Sequence, residues 1–397
     1  MTGAFSPSVP PDAGDDPDAG DARQAADAAA VTALTALLRR RMTLEGPMSV
    51  AAFMTEALAH PRWGYYQRQD PFGVAGDFIT APEISQMFGE LLGLWCVHTW
   101  SCLGSPVPFA LVELGPGRGT LMRDALRAAA LVPAFRNALR LHMVETSPTL
   151  RAIQARTLAD CPFPAGAPVW HDHLADLPEG PCFFLANEFF DALPIRQVIR
   201  TPSGWAERRV DVDPDGPGFR FVLDRPMPDR LAMELLPESV WRSPPGSLVE
   251  LCPTAQGLMA ELAGRLVQHG GAALVIDYGY PHAACGETLQ ALRRHQFVPV
   301  LETPGAADLT AHVNFESLVA AARTAGARAW GPVDQGAFLK TLGLAERAAL
   351  LCREASPDQA AAIAAASHRL TAADAMGTLF KVLAITAPTA PAPVGFS

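Results

Sequence analysis

The sequence predicts an α/β fold with a doubly wound sheet, and three observations carry that prediction. From residue 109 onward, short and uniformly apolar runs alternate with amphipathic stretches, as expected of strands buried on both faces and joined by helical crossovers. One of these runs, FALVEL, ends in a glycine-rich bend that leads directly into a helical pattern. The chain has 397 residues, 49% hydrophobic and only 18% charged, which is enough apolar material for a large core.

Taken in order, residues 1–30 are rich in Pro, Gly, Asp and Ala, offer little to bury, and are expected to form a disordered tail. Residues 31–105 read as an amino-terminal helical layer and lid. Val50, Phe53, Met54, Ala57 and Leu58 recur at helical spacing behind Ser49 as a cap, and His60-Pro61 ends the run. The glycine- and aromatic-rich stretch 63–80 suits a loop. Thr80 and Glu83 then form a T-x-x-E capping box, opening a helix whose apolar face is Ile84, Met87, Phe88, Leu91, Leu92 and Trp95.

Strands are expected at 109–114, 139–145, 181–187, 272–278, 327–332 and 379–385. The first part of the sheet domain spans 106–193 and the second 251–397, which opens with a helix over 254–269 that stops at Gly270-Gly271. Between them, 194–250 holds two extended runs with turn residues and reads as a β-rich central insertion. Together with the amino-terminal layer it makes a smaller accessory domain.

A net charge of −10 without any basic run excludes a nucleic-acid partner, and no stretch is apolar enough to insert into a membrane. The first residues fit neither a signal peptide nor an arginine-rich transit peptide, so a cytoplasmic, bacterial protein is expected. Seven scattered cysteines with no C-x-x-C fit free thiols in a reducing compartment. His171 and His173 have no partners at metal-ligand spacing, so no metal site is expected.

The sharpest local signal is LVELGPGRGTL, with Gly115, Gly117 and Gly119 after the first sheet strand. A dinucleotide fingerprint would place its third glycine at position 120, which is Thr; G-x-G-x-G after an acidic strand end instead favours S-adenosylmethionine over NAD. Glycines let the backbone lie against the cofactor where a side chain would clash. Glu113 can answer its ammonium group, and Glu145, ending the second strand, can accept both ribose hydroxyls. Asp172, after a third strand, is placed to meet the adenine edge or else is an ordinary loop acid. A tight turn without a ligand is the competing reading of the glycines.

In FFLANEFFDALPIRQ, Asn187 and Glu188 stand at the carboxyl end of an apolar strand, the rim where open α/β sheets bind ligands. If the chain turns helically there, Glu188 and Asp191 share a face and form a paired carboxylate. Such a pair suits a cation better than a neutral base and points to a guanidinium or ammonium acceptor. Guanidinium keeps its proton at pH 7, so the pair would hold it by bidentate hydrogen bonds and take the proton during transfer. A polar strand exit capping a short helix is the plainer alternative.

These residues resemble the MidA-like family of methyltransferases, whose mitochondrial member is an arginine methyltransferase that assists assembly of respiratory complex I. The resemblance is carried by HPRWGYY (60–66), GDFITAPEISQMFGELLG (76–93), VELGPGRGTLMRD (112–124), NEFFDALPIRQ (187–197), IDYGY (276–280), DLTAHVNF (308–315), QGAFLKTLG (335–343) and MGTLFKVL (376–383). It implies a Rossmann-like class I methyltransferase domain, S-adenosylmethionine as donor, and a protein arginine as acceptor, with an NADH dehydrogenase subunit as the leading partner; an assembly chaperone that binds the cofactor with little turnover, or methylation of another protein residue or a small molecule, is the alternative. By motif, Gly115, Gly117, Gly119 and Glu145 would line the cofactor, and Gly76, Asp77, Phe78 and Thr80 would close over it; a packing loop is the alternative for these last four. Asp277 and Tyr278 are left between rim structure and pocket wall, and His312 is expected to fix a loop. No motif encodes the oligomeric state.

Overall fold

A computed structural model describes residues 17–68, 80–161 and 166–396. Its main sheet is built on β1 (Phe109–Leu114), β2 (Leu139–Val144), β3 (Val169–His171), β4 (Cys182–Asn187), β5 (Gly271–Tyr280), β6 (Arg328–Asp334) and β7 (Phe380–Thr386). The spatial order is 3-2-1-4-5-7-6. Strand β7 runs antiparallel to both of its neighbours, and the other pairs are parallel. The order reverses between β1 and β4, so a crevice opens at their carboxyl ends. This is the expected doubly wound α/β fold.

The apolar runs explain the layering. Successive side chains of β4 point to opposite faces, so Phe183 and Leu185 join one buried cluster and Phe184 and Ala186 the other. Burying Phe183 and Phe184 contributes roughly 2–3 kcal/mol each. Glycine permits one close helix crossing: a Cβ added at Gly93 would lie 2.3 Å from the Ala125 carbonyl oxygen of the neighbouring helix.

Helix α1 spans Pro17–Glu45, so it begins inside the stretch expected to be a tail. Alanine favours helix without needing burial, which the low apolar content concealed. Leu34, Leu38 and Met42 of α1 pack with Val50, Phe53 and Met54 of α2 (Val50–Ala59). Ser49 caps α2 by accepting the Ala52 N–H, and His60 closes it. A short helix α3 (Tyr65–Arg68) lies where only loop was expected.

The strands 196–201, 204–212, 219–226 and 248–251 form an antiparallel sheet that recruits Met48–Ser49 from the amino-terminal layer. A second small sheet, built from 290–293, 296–298 and 308–310, escaped the sequence reading. Leu289, Ala291, Ala307 and Leu309 pack in the same cluster as α1 and α2, so the accessory layer draws on three separate chain segments. Among the described residues, no helix is long and apolar enough to cross a membrane.

Candidate active site

The expected helix opening at Thr80 is instead two helices, α4 (Ala81–Ile84) and α5 (Gln86–Cys102), broken at Ser85, which caps α5. The T-x-x-E box does not close. Thr80 makes no side-chain cap, and Glu83 Oε1 accepts a 2.6 Å hydrogen bond from the Thr120 hydroxyl. Glu83 is drawn away because Thr120 opens α6 (Thr120–Ala129), directly after the glycine bend. Gly76, Asp77 and Phe78 lie outside the described residues; Thr80 lines the crevice.

Gly115, Gly117 and Gly119 have φ of +60°, +53° and +81°, the left-handed region that side chains avoid. A Cβ at Gly115 would meet the Phe189 ring at 2.7 Å. Two adjoining clefts share Gly115, Gly117 and Glu188. The smaller adds Thr80, Glu113 and Asn187; the larger, about 260 Å³, adds Tyr66, Glu145, Leu150, Phe189 and Leu193. Together they bring most of the expected site residues to one rim.

Glu113 is buried, and Oε2 has no hydrogen-bond partner among the described residues. Burial pushes its carboxyl well above the usual range. An unanswered carboxyl beside a glycine-rich bend fits the ammonium of S-adenosylmethionine. Asn187 lies opposite with an equally unpartnered Oδ1, while its amide N–H donates to Glu188 Oε1 at 3.1 Å.

Glu145 is held by residues the sequence reading missed. Its Oε1 accepts the Ser147 N–H at 2.8 Å and its Oε2 accepts Gln154 Nε2 at 3.2 Å. Gln154, on α7 (Pro148–Thr157), also donates to the Gly117 carbonyl at 2.9 Å and accepts from Trp170 Nε1 at 2.8 Å, so it ties the glycine bend to the expected ribose acid. The available signal was a glutamine four residues after Leu150 and four before Leu158, on the spacing of core-facing helix positions. Burial raises the Glu145 carboxyl.

Asp172 has the surroundings of the plainer alternative, a loop acid. Its side chain is 62% exposed, pairs with Arg151 at 2.6 Å, and lies outside both clefts. Arg151 draws it outward while donating to the Glu145 carbonyl at 2.7 Å.

Glu188 and Asp191 do not share a helix face, because the chain leaves β4 in bends and a turn. Glu188 itself has φ +49°, a conformation costing a non-glycine residue about 1–2 kcal/mol. Its carboxylate lines both clefts and accepts the Ala81 N–H at 3.0 Å. Burial pushes its carboxyl up to about 7. Asp191 lies beneath, 6% exposed and lining neither cleft. Burial pushes its carboxyl up to about 6, while the adjacent Tyr278 hydroxyl lowers it; neither Asp191 Oδ1 nor that hydroxyl has a partner of hydrogen-bond geometry among the described residues. Tyr66, in the larger cleft, donates its hydroxyl to Asp308 at 2.9 and 3.0 Å. Both residues sit in quoted motifs, but nothing local in the sequence pairs them. His312 stacks edge-on against Tyr278, ring centroids 5.4 Å apart.

With this geometry in view, residues 91–333 match the family described as "Putative S-adenosyl-L-methionine-dependent methyltransferase". The chain belongs to this family. It is therefore an S-adenosylmethionine-dependent methyltransferase, and the unpartnered Glu113, the glycine bend and Glu145 fit that cofactor. The chain is 38% identical to the mitochondrial protein arginine methyltransferase NDUFAF7 of Danio rerio, over 88% of this chain and 85% of that one. It is 40% identical to the Homo sapiens protein of the same name, over 81% and 76%. A likely methyl transferase from Burkholderia thailandensis bound to S-adenosyl-homocysteine superposes with a TM-score of 0.79 at 28% identity, covering 92% of this chain and 95% of that one.

Proposed function

We propose that this methyltransferase N-methylates an arginine side chain on a protein. The observation that carries the reading is Glu188, whose half-buried carboxyl lines both clefts at the end of β4 and accepts the Ala81 N–H at 3.0 Å. When bound, S-adenosylmethionine supplies an electrophilic methyl carbon that leaves sulfur as the nitrogen–carbon bond forms. Guanidinium keeps its proton at neutral pH with a pKa above about 12, so prior deprotonation is too costly to precede transfer. Glu188 instead accepts hydrogen bonds from the guanidinium, aligns one nitrogen, and takes its proton as that nitrogen becomes bonded to carbon. Asp191, behind it, adds negative potential that favours a cationic acceptor and raises the Glu188 carboxyl further.

The names of the relatives support arginine as the acceptor. On the MidA-like resemblance, a subunit of the respiratory NADH dehydrogenase is the leading target. The seven cysteines are all free, which fits a reducing compartment. The test is transfer of a labelled methyl group into a lysate of cells lacking this protein, followed by hydrolysis to amino acids. Label in methylarginine supports the reading. Label confined to lysine, histidine or small molecules overturns it.

A further inference from the structure

Asp277 ends the central part of β5 and is fully buried. Its Oδ2 accepts three successive backbone N–H groups, those of Phe189 at 3.2 Å, Phe190 at 2.9 Å and Asp191 at 3.2 Å. Its Oδ1 accepts the N–H of Tyr278 at 2.9 Å. One residue earlier, the Ile276 carbonyl accepts the Glu188 N–H at 2.9 Å, and Ile276 is also the register partner of Asn187. Two consecutive residues of β5 therefore fix the chain on both sides of Glu188.

The Glu188 backbone needs such fixing. It is one of four non-glycine residues with positive φ among the described residues, and the other three, Ser105, Arg294 and His295, lie outside both clefts. A glutamate has no intrinsic preference for the left-handed region, so the surroundings must impose it. The three N–H groups that follow Glu188 converge on a single carboxylate oxygen, as a backbone nest converges on an anion. That convergence turns the chain sharply after β4 and leaves the Glu188 side chain in the crevice, against Ala81.

We propose that Asp277 is a positioning residue for methyl transfer: by collecting the N–H groups of residues 189–191 it holds Glu188 in the left-handed conformation that presents its carboxylate to the acceptor. Asp277 does not touch the reacting atoms. It lines neither cleft, and its hydrogen-bond partners are all backbone N–H groups. The inference rests on Glu188 acting as proposed above. It goes further in saying where the precision of that residue originates, on a different strand and through main-chain contacts alone.

Asp277→Asn keeps the shape but has only one acceptor oxygen, so an amide N–H₂ must face either the Tyr278 N–H or the three-donor nest. The test is a cycle with Glu188→Gln, read as initial label incorporation into lysate protein at saturating S-adenosylmethionine, with S-adenosylhomocysteine affinity measured in parallel. Asp277→Asn alone is expected to slow incorporation about 100-fold while cofactor-product affinity stays within about threefold. Added to Glu188→Gln, it should change the remaining rate by less than about threefold, because the group it positions is already gone. Multiplying losses would overturn the proposal and mark Asp277 as a general structural residue; an unchanged rate in Asp277→Asn would overturn it too. A Glu188→Gln enzyme as fast as the wild type would instead refute the role of Glu188 itself. Amide exchange of the wild-type protein provides a reading independent of variant folding. The N–H groups of Phe189, Phe190 and Asp191 should be among the protected ones, and fast exchange at these three would contradict the nest.

Discussion

Glu188 Oε1 accepts the backbone N–H of Ala81 at 3.0 Å, so the end of β4 is joined to the first turn of α4 across 107 positions of sequence. The acid proposed to face the acceptor therefore also holds the segment opening at Thr80 against the crevice. The chemistry of one side chain and the shape of the site are linked.

That link has a pH signature. Burial pushes the Glu188 carboxyl up to about 7, and only the ionised form can accept a proton. Turnover should fall as pH drops below about 7, and Glu188→Gln should abolish that acid limb. The stability effect has the opposite sense. A carboxyl raised in the folded state favours folding when protonated, so its contribution is full below the unfolded pKa and is lost as pH rises through about 7. The ligand-free wild type should therefore show a lower Tm at pH 8 than at pH 6. Glu188→Gln should flatten part of that slope, and the raised carboxyls of Glu113 and Asp277, with a small share from Asp191, should keep the rest.

Glu113 separates cofactor binding from stability. Its buried Oε2 has no partner, so Glu113→Gln should remove an uncompensated burial cost and raise the ligand-free Tm at pH 7. The same change removes the counter-charge for the cofactor ammonium and should weaken S-adenosylhomocysteine binding by about 10-fold or more, as a charge-assisted contact is lost. Differential scanning fluorimetry with and without that ligand reads both effects in one series.

Gln154→Leu tests the brace between the glycine bend and Glu145. It deletes bonds to the Gly117 carbonyl, Glu145 and Trp170 while keeping a buried side chain of similar size. The polar groups left unpaired should destabilise the fold by about 1–3 kcal/mol. Calorimetry should show about 10-fold weaker cofactor-product binding, whereas chemical denaturation should remain a single cooperative transition.

Gly115→Ala places a Cβ at a φ of +60° and within 2.7 Å of the Phe189 ring. The ring can rotate, but the backbone conformation and the cofactor surface cannot absorb the methyl group. S-adenosylhomocysteine binding should fall by about 100-fold with circular dichroism essentially unchanged. Retained affinity would show that the bend is not the cofactor seat.

Much of this site was legible because its chemistry sits at strand ends, where an apolar run meets Gly or an acid. The glycine bend, Glu113, Glu145 and Glu188, which the fold brings to one crevice, were singled out that way. What escaped depends on contacts distant in sequence. Asp277 serves a loop 86 positions away, and Tyr66 bonds Asp308 across 242 positions. The helical pairing of Glu188 with Asp191 failed because the Asp277 nest overrides local helical preference, and the capping box at Thr80 failed because Thr120 competes for Glu83. Asp172 was singled out by position alone, and the structure shows it exposed and paired with Arg151, the plainer of the two readings. The strands of 290–310 are too short and too polar to show a clear alternation.

The most direct test of the central claim is the single-turnover rate of methyl transfer by Glu188→Gln, with S-adenosylhomocysteine affinity measured on the same preparation. The expected rate is lowered by about 100-fold or more, with affinity changed by less than about threefold. A wild-type rate in that variant, or a rate loss explained wholly by weaker cofactor binding, would contradict it.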